Sequence, residues 1–349
     1  MKKIDWYILK SIALSFVISF AVTTLIMLLG NLIKIYDILF AKGVNISLMG
    51  RIVWDSFVFL SIFTIPMALT LSVNFTYTQL SANSEIIALR SSGISLKRLY
   101  YPAFVFSLLI FAVLFYDTTF LAYKSKLTYR TDIAKAFKNR IYVGLKQKIF
   151  YTGLNKATLY ANSISPDKKR LYSVFYSDKN GVITAKEADF QDAVFGVVVN
   201  FKNAHIYNTK DNATEYGKVA NYKISVFVNE NSKSIVKKND TRYMNIDELI
   251  NYYKKTHDRE ALYKINKMLV FSFSVFFLSI IGFVFGITFA RSGKSAGIIV
   301  SMSIFFIFYI LEMFGESLFK SYGIIWSIWL PDIILLIFGL YIFYKKSTN

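Results

Sequence analysis

The chain has 349 residues, 54% of them hydrophobic and 17% aromatic, with a mean hydropathy of +0.42 and a formal net charge of +19. Soluble domains carry roughly 45–50% apolar residues with glycine counted, so a wholly soluble protein is excluded. With no cysteine, disulfides, thiolate metal sites and cysteine nucleophiles are excluded as well.

The positive charge does not point to nucleic acid, because the basic residues are scattered and form no motif that would enter a groove. Anionic lipid at a membrane surface suits it better. Its distribution is informative: residues 121–266 hold 26 Lys and Arg against 14 Asp and Glu, whereas the flanks contain long charge-poor runs. Spans beside a solvated block are the expected arrangement.

In chain order, apolar stretches at about 11–33, 56–80 and 99–120 are each long enough to cross the bilayer, and three more follow at 267–290, 295–318 and 326–344. The first lacks a small-residue cleavage site and reads as an uncleaved span. With the N-terminus inside, the cytoplasmic segments carry Lys2, Lys3, Lys10, Arg90, Lys97, Arg98, Arg291, Lys294, Lys345 and Lys346, and the short outer loops only Lys34, Lys42, Arg51 and Lys320. This excess places both termini in the cytoplasm and the central block outside. Trp326 and Trp329 then fall at the outer interface, followed by Pro331 and Asp332 at a helix start.

The loop at 81–98, between the second and third spans, predicts a helix of about two turns. Asn83 or Ser84 can cap it, Glu85 meets its positive end, and Gly93 supplies the left-handed stop. Ile86, Ile87 and Leu89 are expected to be exposed beside Glu85 and Arg90, seeking either a partner's groove or the membrane surface.

The central block predicts an all-β domain of sandwich or jelly-roll type, with strands near 148–151, 157–162, 171–177, 182–185, 194–201 and 222–227 and a hairpin turn at 178–181. Residues 121–138 and 246–262 read as helices that extend the third and fourth spans outward. His205 and His257 are too far apart in sequence to indicate a site.

Motifs of chemistry are lacking. Ser292-Gly-Lys-Ser295 resembles the end of a phosphate-binding loop, but Thr288 stands where that motif needs glycine, and the segment joins two spans. It reads as a basic turn. No catalytic or metal-ligating set emerges, so the chain is read as a non-enzyme without its own energy source. Asp55 and Asp117 lie at span ends, and Glu312 is expected near the outer interface, with Glu316 spaced to pair with Lys320. Their role is open at this point.

The run Ser84-Glu-Ile-Ile-Ala-Leu-Arg-Ser-Ser-Gly-Ile-Ser95 resembles the segment after span two in the lipopolysaccharide-export permeases, the LptF/LptG (YjgP/YjgQ) family. The layout agrees: spans one to three over 1–120, a periplasmic β-jelly-roll domain with helical flanks over 121–266, and spans four to six over 267–349. Asn31-Leu-Ile-Lys-Ile-Tyr-Asp37 with Lys42-Gly43 resembles the G-type subunit more than the F-type.

The resemblance implies an ABC-transporter permease subunit in a Gram-negative inner membrane, passing lipopolysaccharide to a single-span periplasmic bridge protein of LptC type. It implies a second permease subunit of F or G type and a dimeric cytoplasmic ATPase of LptB type, with ATP and magnesium held by that ATPase alone. Residues 84–92, including Ser84, Glu85, Ile86, Ile87, Leu89, Arg90 and Gly93, would be the coupling helix. Lys34 and Lys42 would face lipid phosphates. An ion-coupled secondary transporter, expected to carry a midplane carboxylate and symmetric halves, and a membrane-anchored scaffold are the rival readings.

Overall fold

The computed structural model describes residues 3–40, 44–154, 157–179, 181–193, 196–210, 213–227, 240–288 and 294–348. Helices α1 (Lys3–Leu39), α2 (Ile46–Ala82), the short α3 (Glu85–Ser91) and α4 (Leu96–Tyr116) come first. A π-helical segment, Asp117–Leu121, carries α4 directly into α5 (Ala122–Gly144). Six strands follow: β1 (Tyr151–Leu154), β2 (Ala157–Ile164), β3 (Arg170–Asp178), β4 (Gly181–Ala193), β5 (Gly196–Lys210) and β6 (Ala213–Phe227). The chain then returns to helices α6 (Ile246–Thr256), α7 (Arg259–Thr288), α8 (Lys294–Tyr322) and α9 (Leu330–Thr348). Six helical stretches among the described residues are long and apolar enough to cross a membrane, three before the sheet and three after it. The 3+3 helical class with an inserted β domain is the architecture observed.

The chain divides into two compact units. One comprises residues 1–30, 56–126 and 241–349 and holds most of the apolar helices. Its core gathers Ile8 and Ile12 of α1, Leu69, Val73 and Tyr77 of α2, Leu99 and Phe106 of α4, and Val275 and Phe283 of α7. Small residues set how closely helices approach, because lipid gives helices no hydrophobic drive to associate. At Gly286 a β-carbon would lie 2.8 Å from the Asn74 carbonyl oxygen, and at Gly282 one would lie 3.0 Å from that of Thr70, so α7 lies backbone against backbone on α2. In contrast, α1 shows an exposed apolar row, Leu14, Ile18, Val22, Leu25, Leu29 and Ile33, at three- and four-residue steps on one helix face.

The second unit comprises residues 31–55 and 127–240. Each strand pairs antiparallel with its sequence neighbour, in the order β1-β2-β3-β4-β5-β6, so this β domain is an up-and-down sheet built of hairpins. Its apolar face carries Leu159, Leu171, Val174, Ile183, Phe190, Val199 and Phe201. The end of α5 covers that face with Phe137, Ile141 and Leu145, where a sandwich would place a second sheet.

The strands outlast the sequence expectation for a definite reason. Buried positions in β3 fall at Leu171 and then Val174 and Tyr176; in β4 at Ile183 and Ala185 and then Ala188 and Phe190; in β5 at Val197, Val199 and Phe201 and then Ala204. The two-residue alternation slips in all three strands along one row, Ser173, Lys186 and Asn203, each paired or flanked in register with the next. Ser173 (φ 50°) and Asn203 (φ 53°) are left-handed there, which returns the same face to the core beyond the row. The strand expected at 182–185 therefore runs on to Ala193, and that expected at 222–227 begins at Ala213. The first expected strand also shifts, from 148–151 to Tyr151–Leu154. At the turn, Asp178 pairs with Gly181 as expected of a two-residue hairpin; Asn180 lies outside the described residues.

The expected continuous helix over 246–262 is broken. Helix α6 opens with a capping box between Asn245 and Glu248 and ends at His257, whose left-handed φ of 48° turns the chain before α7 begins.

Candidate functional site

Three regions carry chemistry. The first is α3. Its start departs from expectation: Ser84 is left-handed (φ 62°) and makes no side-chain cap, while the Asn83 amide donates to the Glu85 carboxylate at 3.2 Å. Its end is as expected, with Gly93 at φ 84° and its N–H donating to the Arg90 carbonyl.

Ile86 is buried among α1, α2 and α4 residues, against the expectation of exposure, because a seven-residue helix needs an apolar anchor to hold its position. Leu89 packs partly on the same core, whereas Ile87 is 64% exposed and Arg90 lies beside it on the open face. Glu85 sits beside the Tyr7 hydroxyl of α1. Buried Asp5 ion-pairs with Arg98 at 2.5 Å, tying the start of α1 to the start of α4 on either side of this loop. The structure thus brings the residues 84–93 together as a small anchored helix with one free face.

The second region is the end of α1. Lys34 is exposed, and no ion-pair partner for it occurs among the described residues; Ile35 and Leu39 on the opposite face pack against Ile52 of α2 and Ile133 of α5. Lys42 lies outside the described residues, as do Ser292 and Gly293 of the basic turn.

The third region was missed in the sequence. Lys267 of α7 lies 2.6 Å from Glu312 and 2.9 Å from Glu316 of α8, and Glu316 also pairs with Lys320 at 2.6 Å. The Glu316–Lys320 pair was legible from its four-residue spacing. Lys267 stands at the start of the fourth apolar stretch with no spacing that signals a partner, though two carboxylates on an apolar helix demand a cation from somewhere. Glu312 is 5% exposed, and α8 continues ten residues beyond it to Tyr322, so it lies about 15 Å along the axis from the helix end rather than at that end.

Nearby in the same unit, buried Asp117 accepts from the Ser61 hydroxyl, and Thr118 and Ser272 hydroxyls pair at 3.0 Å beside the π turn. Asp332 is buried in the first turn of α9, where the helix dipole favours an anion. His205 and His257 have structural surroundings: His205 hydrogen-bonds the Tyr216 hydroxyl at 2.6 Å, and His257 ends α6.

The chain combines three apolar helices, a β insertion, three more apolar helices and an anchored loop helix, and comparison with known proteins decides the class. A family model described as lipopolysaccharide export system permease LptF/LptG matches residues 6–345.

The chain belongs to the LptF/LptG family.

The match takes in F and G types alike. No curated protein matches the chain. As an LptF/LptG member it is a multi-pass inner-membrane permease of lipopolysaccharide export, a transport component and not an enzyme.

Proposed function

We propose that this LptF/LptG chain is one permease subunit of an ABC exporter. It takes lipopolysaccharide from the outer leaflet of the inner membrane and hands it to a periplasmic bridge protein of LptC type. A separate dimeric cytoplasmic ATPase of LptB type supplies the energy and holds the ATP and magnesium, and a second F- or G-type subunit completes the cavity. Both termini are cytoplasmic and the β domain is periplasmic, in keeping with the basic bias of the short loops.

The observation that carries this reading is α3: Ile86 clamps it to the helices behind, while Ile87 and Arg90 stand free on its outer face. Apolar and charged groups on the free face of a rigidly held short helix suit a groove in a partner better than a lipid surface, because the anchor leaves the helix unable to roll into the bilayer. Motion of that partner reaches α1, α2 and α4 directly, since Ile86 sits in their common core. Lys34 and Lys42 then offer compact positive charge to lipid phosphates at the end of the first span.

The test is purification of the wild-type chain with the ATPase, second permease subunit and bridge protein proposed here, followed by Glu85→Ala and Ile87→Asp. Both variants should keep the fold and lose most ATP-dependent lipid release. Full release by both would overturn the coupling role.

A further inference from the structure

A cavity of about 760 Å³ opens inside the helical unit, walled by α2, the π turn and start of α5, the segment around Thr241, α7 and α8. That volume falls within the range of ligand sites, roughly 300–1,000 Å³. Its lining is graded along the helices. On α7, Glu260, Lys264, Lys267 and Phe271 follow at four-, three- and four-residue steps, which puts them on one face running from charged to aromatic. At the charged end stand Arg242, Lys264 and Lys320; at the other end Phe63, Met268 and Phe271.

The wall holds five bases, Lys126, Arg242, Lys264, Lys267 and Lys320, against two acids, Glu260 and Glu316, and with Lys267 set against the adjoining Glu312 four bases still stand against two acids. Lys267 is already held by Glu312 and Glu316, which assigns it to bracing α7 against α8. Lys264 is largely covered, with 17% of its side chain exposed, and is steadied by Glu260 and the Thr241 hydroxyl. A cation held in place beside an apolar shaft recognises a phosphate attached to hydrocarbon.

We infer that this cavity binds an anionic glycerophospholipid of the surrounding bilayer, its phosphate at Arg242 and Lys264 and its chains along Phe63, Met268 and Phe271. The volume suits a headgroup and the upper part of two chains; a many-chained glycolipid would not fit. No residue of α3 lines the cavity, so this site stands apart from the coupling role of α3, and either can fail alone.

The experiment is native mass spectrometry of the full-length chain, delipidated in neutral detergent and titrated with dioleoyl phosphatidylglycerol or dioleoyl phosphatidylcholine. Wild type should favour the anionic lipid by about tenfold, the equivalent of ~1.4 kcal/mol. Arg242→Gln with Lys264→Gln should abolish that preference, and Met268→Trp, which fills the shaft, should weaken both lipids. Lys254→Gln with Lys255→Gln on α6 removes the same charge elsewhere and should change nothing. Equal binding of the two lipids by wild type, a preference that survives Arg242→Gln with Lys264→Gln, or undiminished binding of both lipids by Met268→Trp would overturn the site. Displacement of phosphatidylglycerol by an equimolar amount of lipopolysaccharide would instead give the cavity to the transported lipid and overturn the assignment. Size-exclusion profiles of each variant show which are folded, and either cavity variant decides the question.

Discussion

Lys267 and Glu312 face each other across α7 and α8 at 2.6 Å, and the carboxylate is 5% exposed. Removing one member of such a pair strands a charge away from water, which costs about 3–5 kcal/mol, whereas removing both is far milder. Lys267→Met should therefore lower the thermal midpoint of the detergent-solubilised chain markedly, and Lys267→Met with Glu312→Met should recover at least half of the loss. Glu316 keeps Lys320 in the double variant, so it adds no second stranded charge. A double variant as unstable as the single would show that the pair does not brace these helices.

The contact of α7 on α2 makes a sharper prediction at glycine. A β-carbon at Gly286 would stand 2.8 Å from the Asn74 carbonyl oxygen and 2.9 Å from the Tyr77 β-carbon, and neither can yield without moving a helix. Gly286→Ala should destabilise the chain by about 1–3 kcal/mol, as overpacking does. Gly50→Ala, with nothing within 4 Å of the added carbon, should be neutral or slightly stabilising. Differential scanning fluorimetry of the two variants side by side checks both signs.

Neighbouring isoleucines on α3 are expected to behave oppositely. Ile86, 2% exposed, should cost about 2–4 kcal/mol as alanine and lower the melting point. Ile87, 64% exposed, should leave melting unchanged as alanine and reduce ATPase association in pull-downs. If both changes lowered stability equally, the free face assigned to α3 would be wrong.

In the β domain, burial and the neighbouring Asp178 carboxylate push the Tyr176 hydroxyl above its ordinary range, toward the protonated form. A folded value above the unfolded one, about 10 for tyrosine, means that the folded chain holds the proton more tightly. The associated stability is intact below pH ~10 and declines as pH rises through and beyond that value. Tyr176→Phe should flatten this alkaline decline, read from near-ultraviolet circular dichroism of the β domain in the full-length chain between pH 9 and pH 11 (roughly the span around that unfolded value).

What the sequence determined by itself was whatever depends on local composition and short spacing. Six apolar runs, the solvated block between them, Gly93 as a helix stop and the Glu316–Lys320 pair each arise from residues close together in the chain, where physical period and sequence period coincide. Residues joined only by folding were decided by the tertiary structure. Lys267 is 45 residues from Glu312 in sequence and 2.6 Å from it in space. Ile86 and Ile87 are equally apolar, and only the helices behind α3 separate anchor from free face. Likewise the row through Ser173, Lys186 and Asn203 interrupts the alternation in three strands at once, so each strand alone looks as if it ends there. Paired in register, the three interruptions align, and the hydrogen-bonded ladder carries the sheet across them.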